Sequence, residues 1–224
     1  MPAPITVDIW SDIACPWCYI GKRKFEAGLA EFDGRDDVAV TYHSYELSPD
    51  TPEDFAGSSV DFLVQHKGMP AAQVREMLTR VTDIAAEVGL AFDFDAVLQT
   101  KTLKAHQVLH HAKAQGKQLE YAERLFKAYF EQGEHVGKDS VLADLAADVG
   151  LDRDEVLEVL ASGRYAADVD ADIDQARAYG ISGVPFFVLD GRYGVSGAQS
   201  PETFTEVLAK VRAERSDAEE SSHV

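Results

Sequence analysis

Cysteine is nearly absent from this chain of 224 residues: two occur, Cys15 and Cys18. A disulfide-stapled fold would use more sulfurs over longer loops, and a four-thiolate zinc site would need two more. Basic residues are also scarce, 21 against 39 acidic ones for a formal charge of −18, which disfavours nucleic acids and anionic membrane surfaces as partners. No apolar run approaches the roughly 20 residues of a membrane span. The start, Met1-Pro2-Ala3-Pro4, carries neither the basic residues nor the apolar stretch of a secretion signal. No segment repeats at a fixed period. What remains is a chain 46% hydrophobic and 27% charged, the profile of a soluble protein with a real core, and a cytoplasmic location is expected.

Residues 5 to 10 alternate as a strand and end at Ser11-Asp12, just before Cys15. From Pro16 the spacing turns helical, with Ile20, Phe25, Leu29 and Phe32 on one face and a stop at Gly34. A second strand is expected from Val38 to Leu47. Residues 50 to 180 read as seven helices: 59–65, 71–88, 103–114, 119–132, 141–149, 153–160 and 167–179. Gly89, Gly116, Gly133, Gly150, Gly163 and Gly180 are the expected stops. The stripe Val74, Met77, Leu78, Val81, Ile84 and Val88 is expected to pack in a core. Strand spacing returns in Pro185 to Leu189, followed by the turn Asp190-Gly191, the strand Arg192 to Ser196 and a helix from Pro201 to about Arg212. Strand-helix-strand, a helical block, then hairpin-helix is the thioredoxin topology with its middle expanded. The expectation is an α/β protein, a thioredoxin fold with a large all-helical insertion domain. Its thioredoxin-like parts are 1–49 and 181–214, the insertion is 50–180, and 215–224 is a disordered tail.

The chemistry is concentrated in Cys15-Pro16-Trp17-Cys18 at the first strand-to-helix junction. At a helix N-terminus unpaired N–H groups and the helix dipole favour a thiolate, the reactive form of cysteine. Cys15 is therefore the expected attacking sulfur, capping the helix. Cys18, nearly a turn further in, is the expected shielded, resolving one. Pro16 suits the first helical position, where its missing N–H costs nothing. Trp17 is a bulky neighbour suited to apolar or extended substrates. Asp12 is a candidate proton relay, or else a carboxylate that holds the loop. Lys22-Arg23-Lys24 reads as a solvated basic face, with steering of a carboxylate-bearing thiol such as glutathione as the alternative. His106 pairs with His110 or His111 at metal-ligand spacing, yet a satisfied packing role is favoured and no metal is expected. Gly183-Val184-Pro185, ahead of an apolar strand, marks a strand-start turn with a cis proline, whose preceding backbone at Val184 can pair with an extended substrate.

Ser11 to Lys22, the Tyr45 to Asp50 segment, Ala105-His106, Gly183 to Val188 and Ser196-Gly197-Ala198-Gln199 together resemble the DsbA family, in its FrnE-type branch. The resemblance runs over about residues 5 to 212. It implies dithiol chemistry at Cys15 and Cys18, with Pro185 as the cis proline. Related 2-hydroxychromene-2-carboxylate isomerases and kappa-class glutathione transferases have serine where Cys15 stands. The leading expectation is a thiol-disulfide oxidoreductase, with disulfide isomerisation as an extension, acting on protein or small-molecule thiols and disulfides. Its cofactor is its own redox-active disulfide, with glutathione a candidate co-substrate. A glutathione-dependent isomerase or transferase, and a non-catalytic thioredoxin-like binding module, stay open. In an enzyme the insertion, about residues 50 to 180, is expected to shape the substrate groove without supplying an essential catalytic group; in a binding module it would present a partner surface.

Overall fold

A computed structural model of the chain describes residues 3–221. The thioredoxin part opens with β1 (Ile5–Ser11), α1 (Pro16–Ala30) and β2 (Val38–Ser44). It closes with β3 (Phe186–Leu189), β4 (Tyr193–Ser196) and α9 (Pro201–Ser221). Between β2 and β3 lie the inserted helices α2 (Ser59–Lys67), α3 (Ala71–Glu87), α4 (Leu103–Ala114), α5 (Gln118–Glu131), α6 (Asp139–Asp148), α7 (Arg153–Ser162) and α8 (Ala166–Ala178). No helix among the described residues is long and apolar enough to cross a membrane.

Four strands form one mixed sheet in the order β2-β1-β3-β4, with β1 parallel to β2 and antiparallel to β3. Side chains alternate across a strand, so β1 presents two faces. Ile5, Val7 and Ile9 point to the main core, while Asp8 and Trp10 point to the other side. On the core side Phe25 of α1, Phe187 of β3 and Phe204 of α9 form a triad with ring centroids 4.7–5.6 Å apart. Helices α1 and α9 approach so closely that a Cβ on Gly28 would lie 2.4 Å from the Pro201 carbonyl oxygen, which reserves that position for glycine. The free edge of β2 is covered by a side chain: Tyr42 donates its N–H to Gln118 Oε1 at 3.0 Å, and Gln118 Nε2 donates to the Tyr42 carbonyl at 2.8 Å. Gln118, at the start of α5, thus completes the strand as a further strand would and blocks edge pairing.

Helix α8 docks on the opposite face through charge. Asp172 accepts from the Ser44 N–H at 2.8 Å, sits 2.7 Å from His43 Nδ1 and 3.0 Å from His110 Nε2, while His43 Nε2 meets Asp8 at 2.8 Å. Trp10 stacks on His43 at 4.5 Å and donates its indole N–H to the Asp172 carbonyl. The His43 ring is held between two carboxylates; burial works against its charged form, but Asp172 and Asp8 outweigh it and raise its pKa. Asp172, although burial opposes its charge, is driven well below the usual carboxylate range by His110 and His43.

Three expected element ends differ in the structure, the first being β2, which stops at Ser44 and not at Leu47. Residues 215–221, expected as disordered tail, are helical, since α9 continues past Arg212 to Ser221; the rest of that expectation, residues 222–224, lies outside the described residues. Helix α1 ends at Ala30, before Gly34, because the chain turns into a short 3₁₀ segment, Arg35–Asp37, on its way to β2. The six glycines expected as stops all take left-handed backbone, with φ between 61° and 85°.

A group whose pKa rises on folding stabilises the fold below its unfolded value, and that stability is lost as pH climbs through the folded value. His43→Asn should therefore lower the melting temperature more at pH 5.5 than at pH 8.5, read by thermal denaturation of both chains at the two pH values. An equal loss at both would remove His43 charge from the docking of α8.

Candidate active site

Helix α1 starts where β1 ends in a tight turn, Cys15 donating its N–H to the Asp12 carbonyl at 3.1 Å and Cys18 to the Cys15 carbonyl at 3.0 Å. Cys15 is the N-cap residue in extended conformation, with Pro16 following at the first helical position. Both cysteines are in the free thiol form. Their exposure is nearly equal, 3% for Cys15 and 2% for Cys18, so shielding does not distinguish them as the sequence led one to expect. Nor does the Cys15 sulfur cap the helix; as a thiol it is a donor, and it reaches the Val184 carbonyl at 3.5 Å. What singles out Cys18 is its electrostatic setting. Burial pushes its pKa well above the ordinary thiol value, and the hydrogen bond and charge of Cys15 push further, against smaller opposing effects of the Ser11 hydroxyl and the Asp12 backbone. Cys18 therefore keeps its proton until something takes it.

The Val184-Pro185 peptide is cis, and the turn lies against α1. A Cβ on Gly21 would stand 2.9 Å from Pro185 Cγ, so the absence of a side chain there lets the proline seat on the helix.

Asp12 lies buried beneath this turn. Its carboxylate accepts from the Ala14 N–H at 3.3 Å, the Leu47 N–H at 2.8 Å and the Thr102 hydroxyl at 2.8 Å. It thereby joins the cysteine turn, the segment after β2 and the start of α4, and it does hold the loop. His106, one turn into α4, has no exposed surface, and its Nε2 lies 3.4 Å from Asp12 Oδ1 without hydrogen-bond geometry. Among the described residues neither ring nitrogen of His106 finds a hydrogen-bond partner. His106 is thus a core histidine as expected, but one not satisfied by hydrogen bonds, at a burial cost of about 1–3 kcal/mol. Glu46 is similar: one of its carboxylate oxygens is buried without a partner, and desolvation raises its pKa.

Beside the CPWC turn opens a cavity of about 190 Å³, with Pro16 and Trp17 on one wall and Phe62, Met77, Leu78 and Phe94 on the other. Trp17 is 39% exposed at its rim. Met77 and Leu78, expected as core, form cavity wall instead. Among the described residues no group of three or more His, Cys, Asp or Glu is placed to hold a metal ion.

A match to the family described as DSBA-like thioredoxin domain spans residues 6–209. The chain belongs to that family. It is 40% identical, with a TM-score of 0.89, to a probable DsbA oxidoreductase of Streptomyces coelicolor, the alignment covering 94% of this chain and 91% of the other. The YwbO protein of Bacillus subtilis is 28% identical over 92% of this chain and 96% of its own. A 2-hydroxychromene-2-carboxylate isomerase shares the fold at a TM-score of 0.70 and 17% identity, covering 96% of this chain and 98% of its own.

Within this DSBA-like domain Cys15, Cys18, Trp17, Asp12, Val184 and Pro185 converge on one end of α1. The basic run does not join them as a free surface. Lys22 is buried and bonded to Glu26 and Glu123, at 2.5 and 2.7 Å, and Arg23 is forked onto the same two carboxylates. Burial alone would raise the Glu123 pKa, yet Arg23 and Lys22 hold it at about 2. This corrects the solvated-face expectation, because α5 brings a counter-charge that α1 alone does not reveal. Sequence reasoning missed the contacts of Thr102 and His106 with Asp12, which lies 90 and 94 positions from them along the chain; only Ala105-His106 in the resemblance marked that region.

Gly21→Ala should force Pro185 off the helix, costing about 1–3 kcal/mol by overpacking, roughly 2–12 °C in melting temperature. Gly183→Ala, whose Cβ would meet nothing within 4 Å, serves as the control and should leave the melt unchanged; equal melts for the two variants would contradict the close approach.

Proposed function

We propose that the protein is a thiol-disulfide oxidoreductase that exchanges its Cys15-Cys18 pair with thiols and disulfides of proteins or small molecules. The observation that carries this reading is two free cysteines sharing the first turn of α1, one of them bonded to the Val184 carbonyl ahead of Pro185. Cys15, as thiolate at the helix N-terminus, attacks one sulfur of a substrate disulfide; that S–S bond breaks and the other substrate sulfur leaves as thiolate. Cys18 then gives up its proton and attacks the Cys15 sulfur. The intramolecular disulfide forms, and the second substrate sulfur departs as thiolate and is protonated by water. In reverse the same steps oxidise a dithiol, and release at the mixed-disulfide stage isomerises a substrate. No cofactor beyond the pair is required.

The Val184 backbone suits pairing with an extended substrate, and the cavity beside Trp17 suits an apolar side chain next to the substrate cysteine. Asp12 is the candidate relay for the Cys18 proton. Glutathione fits as a small thiol partner, although Lys22 and Arg23 are already spent on Glu123 and offer it little steering.

Cys18→Ala should leave substrates linked to Cys15, since the chain has no third cysteine to release them. Cys15→Ala should trap far less, because Cys18 is held as a protonated thiol. The adducts would be captured from cell extract, separated without reductant and identified by mass spectrometry. Equal trapping by both variants would reverse the assigned roles, and none by either would support a binding module.

A further inference from the structure

We propose that Asp172 and His43 are positioning residues for the Val184 turn: through α8 and Trp10 their ion pair sets how well the protein pairs with an extended disulfide substrate. The inference rests on the dithiol-exchange reading and gives its substrate-pairing backbone a support on the far face of the sheet.

The Val184 carbonyl accepts the Cys15 thiol at 3.5 Å. Behind that turn Trp10, Ala176, Ile181 and Val188 form a small core of their own, against which Val184, Phe186 and Tyr45 pack. Ala176 lies in the last turn of α8, and Ile181 donates its N–H back to the Ala176 carbonyl at 2.9 Å before the chain runs on to Val184. The seat of α8 on the sheet therefore sets the seat of the turn.

The apolar hold on α8 is small, since only Val169 and Ala176 of that helix are buried. Asp172 supplies the rest. Its carboxylate accepts from the Ser44 N–H at 2.8 Å and lies 2.7 Å from His43 Nδ1, and its carbonyl takes the Trp10 indole N–H at 2.9 Å. Trp10 in turn stacks on His43, with 4.5 Å between ring centroids. Contacts thus run from His43 and Asp172 through Trp10 to Val184 and the redox pair.

The titratable groups facing His43 are Asp8 of β1 and Asp172 of α8. Across Asp172 stands His110 of α4 at 3.0 Å, itself 3.1 Å from Ser44 Oγ, while Tyr45 and Tyr179 border the small core. A charged His43 is a cation between two carboxylates; a neutral one leaves them facing each other across the ring. Burial opposes the charge, yet Asp172 and Asp8 raise the His43 pKa, so the support is in place at low pH and is lost as pH climbs through that raised value.

Two probes test this: bis(2-hydroxyethyl) disulfide, and a blocked, uncharged peptide whose single cysteine carries 2-mercaptoethanol in disulfide linkage. Only the peptide offers an extended backbone to Val184. Each probe takes two electrons from the reduced Cys15-Cys18 pair, its S–S bond breaking to two thiols as the protein disulfide closes. Acid quenching and mass spectrometry give the second-order rate with each, and both the ionisation of Cys15 and the folded fraction cancel in the ratio of peptide to small disulfide. For the wild type that ratio should fall about fivefold between about pH 6 and about pH 9. Asp172→Asn and His43→Asn should show the low ratio at both ends. Trp10→Phe, which keeps a ring but loses the indole N–H, should lower the ratio and leave it falling with pH. A wild-type ratio independent of pH, or variants that match the wild-type ratio at each pH, would overturn the positioning role. Failure of the wild type to react with either probe would instead overturn the exchange reading itself.

Discussion

A carboxylate buried in protein must be paired or it destabilises the fold by several kcal/mol, and Asp12 is such a group placed under the cysteine turn. Its three donors come from the CPWC turn, from the segment after β2 and from the residue preceding α4. Each of those segments is therefore held at a fixed distance from the others. The carboxylate ties the turn that precedes Cys15 to the insertion.

The same device recurs twice. Glu123 of α5 gathers Lys22 and Arg23 of α1, and Asp172 of α8 gathers His43, His110 and the Ser44 backbone. In a chain with nearly twice as many acids as bases, several of the available cations are thus drawn inward to bind the insertion to α1 and to the sheet. Removing one partner leaves an unpaired buried charge, which costs more than the pair contributes when intact. The arrangement makes the docking of the insertion sensitive to pH at His43 and insensitive at Glu123, whose pKa of about 2 lies far below any working pH.

Local signals in the sequence were reliable wherever the cause was local. Helix α4 falls on the expected residues, and the six glycines stop their helices in left-handed backbone because only a residue without a side chain does so without strain. Expectation and structure part where a distant group intervenes. Strand β2 was expected to run to Leu47, but it ends at Ser44, and the Leu47 N–H is taken by the Asp12 carboxylate instead of a ladder partner. Gln118 caps the Tyr42 edge from 76 positions away. His106 looked like ordinary packing because nothing in helical spacing points to Asp12. The motif turn, Trp17 and the Pro185 turn were legible since each carries its chemistry in a few adjacent residues, whereas the floor of the site is assembled from three separate segments.

The exchange chemistry turns on Cys15 and Cys18 acting as one reversible couple. Equilibrating the protein across glutathione redox buffers, alkylating the free thiols and weighing the products tests this directly. The prediction is a single two-electron transition in which both thiols disappear together and no glutathione adduct accumulates. Two free thiols at every buffer ratio, or a stable adduct on Cys15, would contradict it.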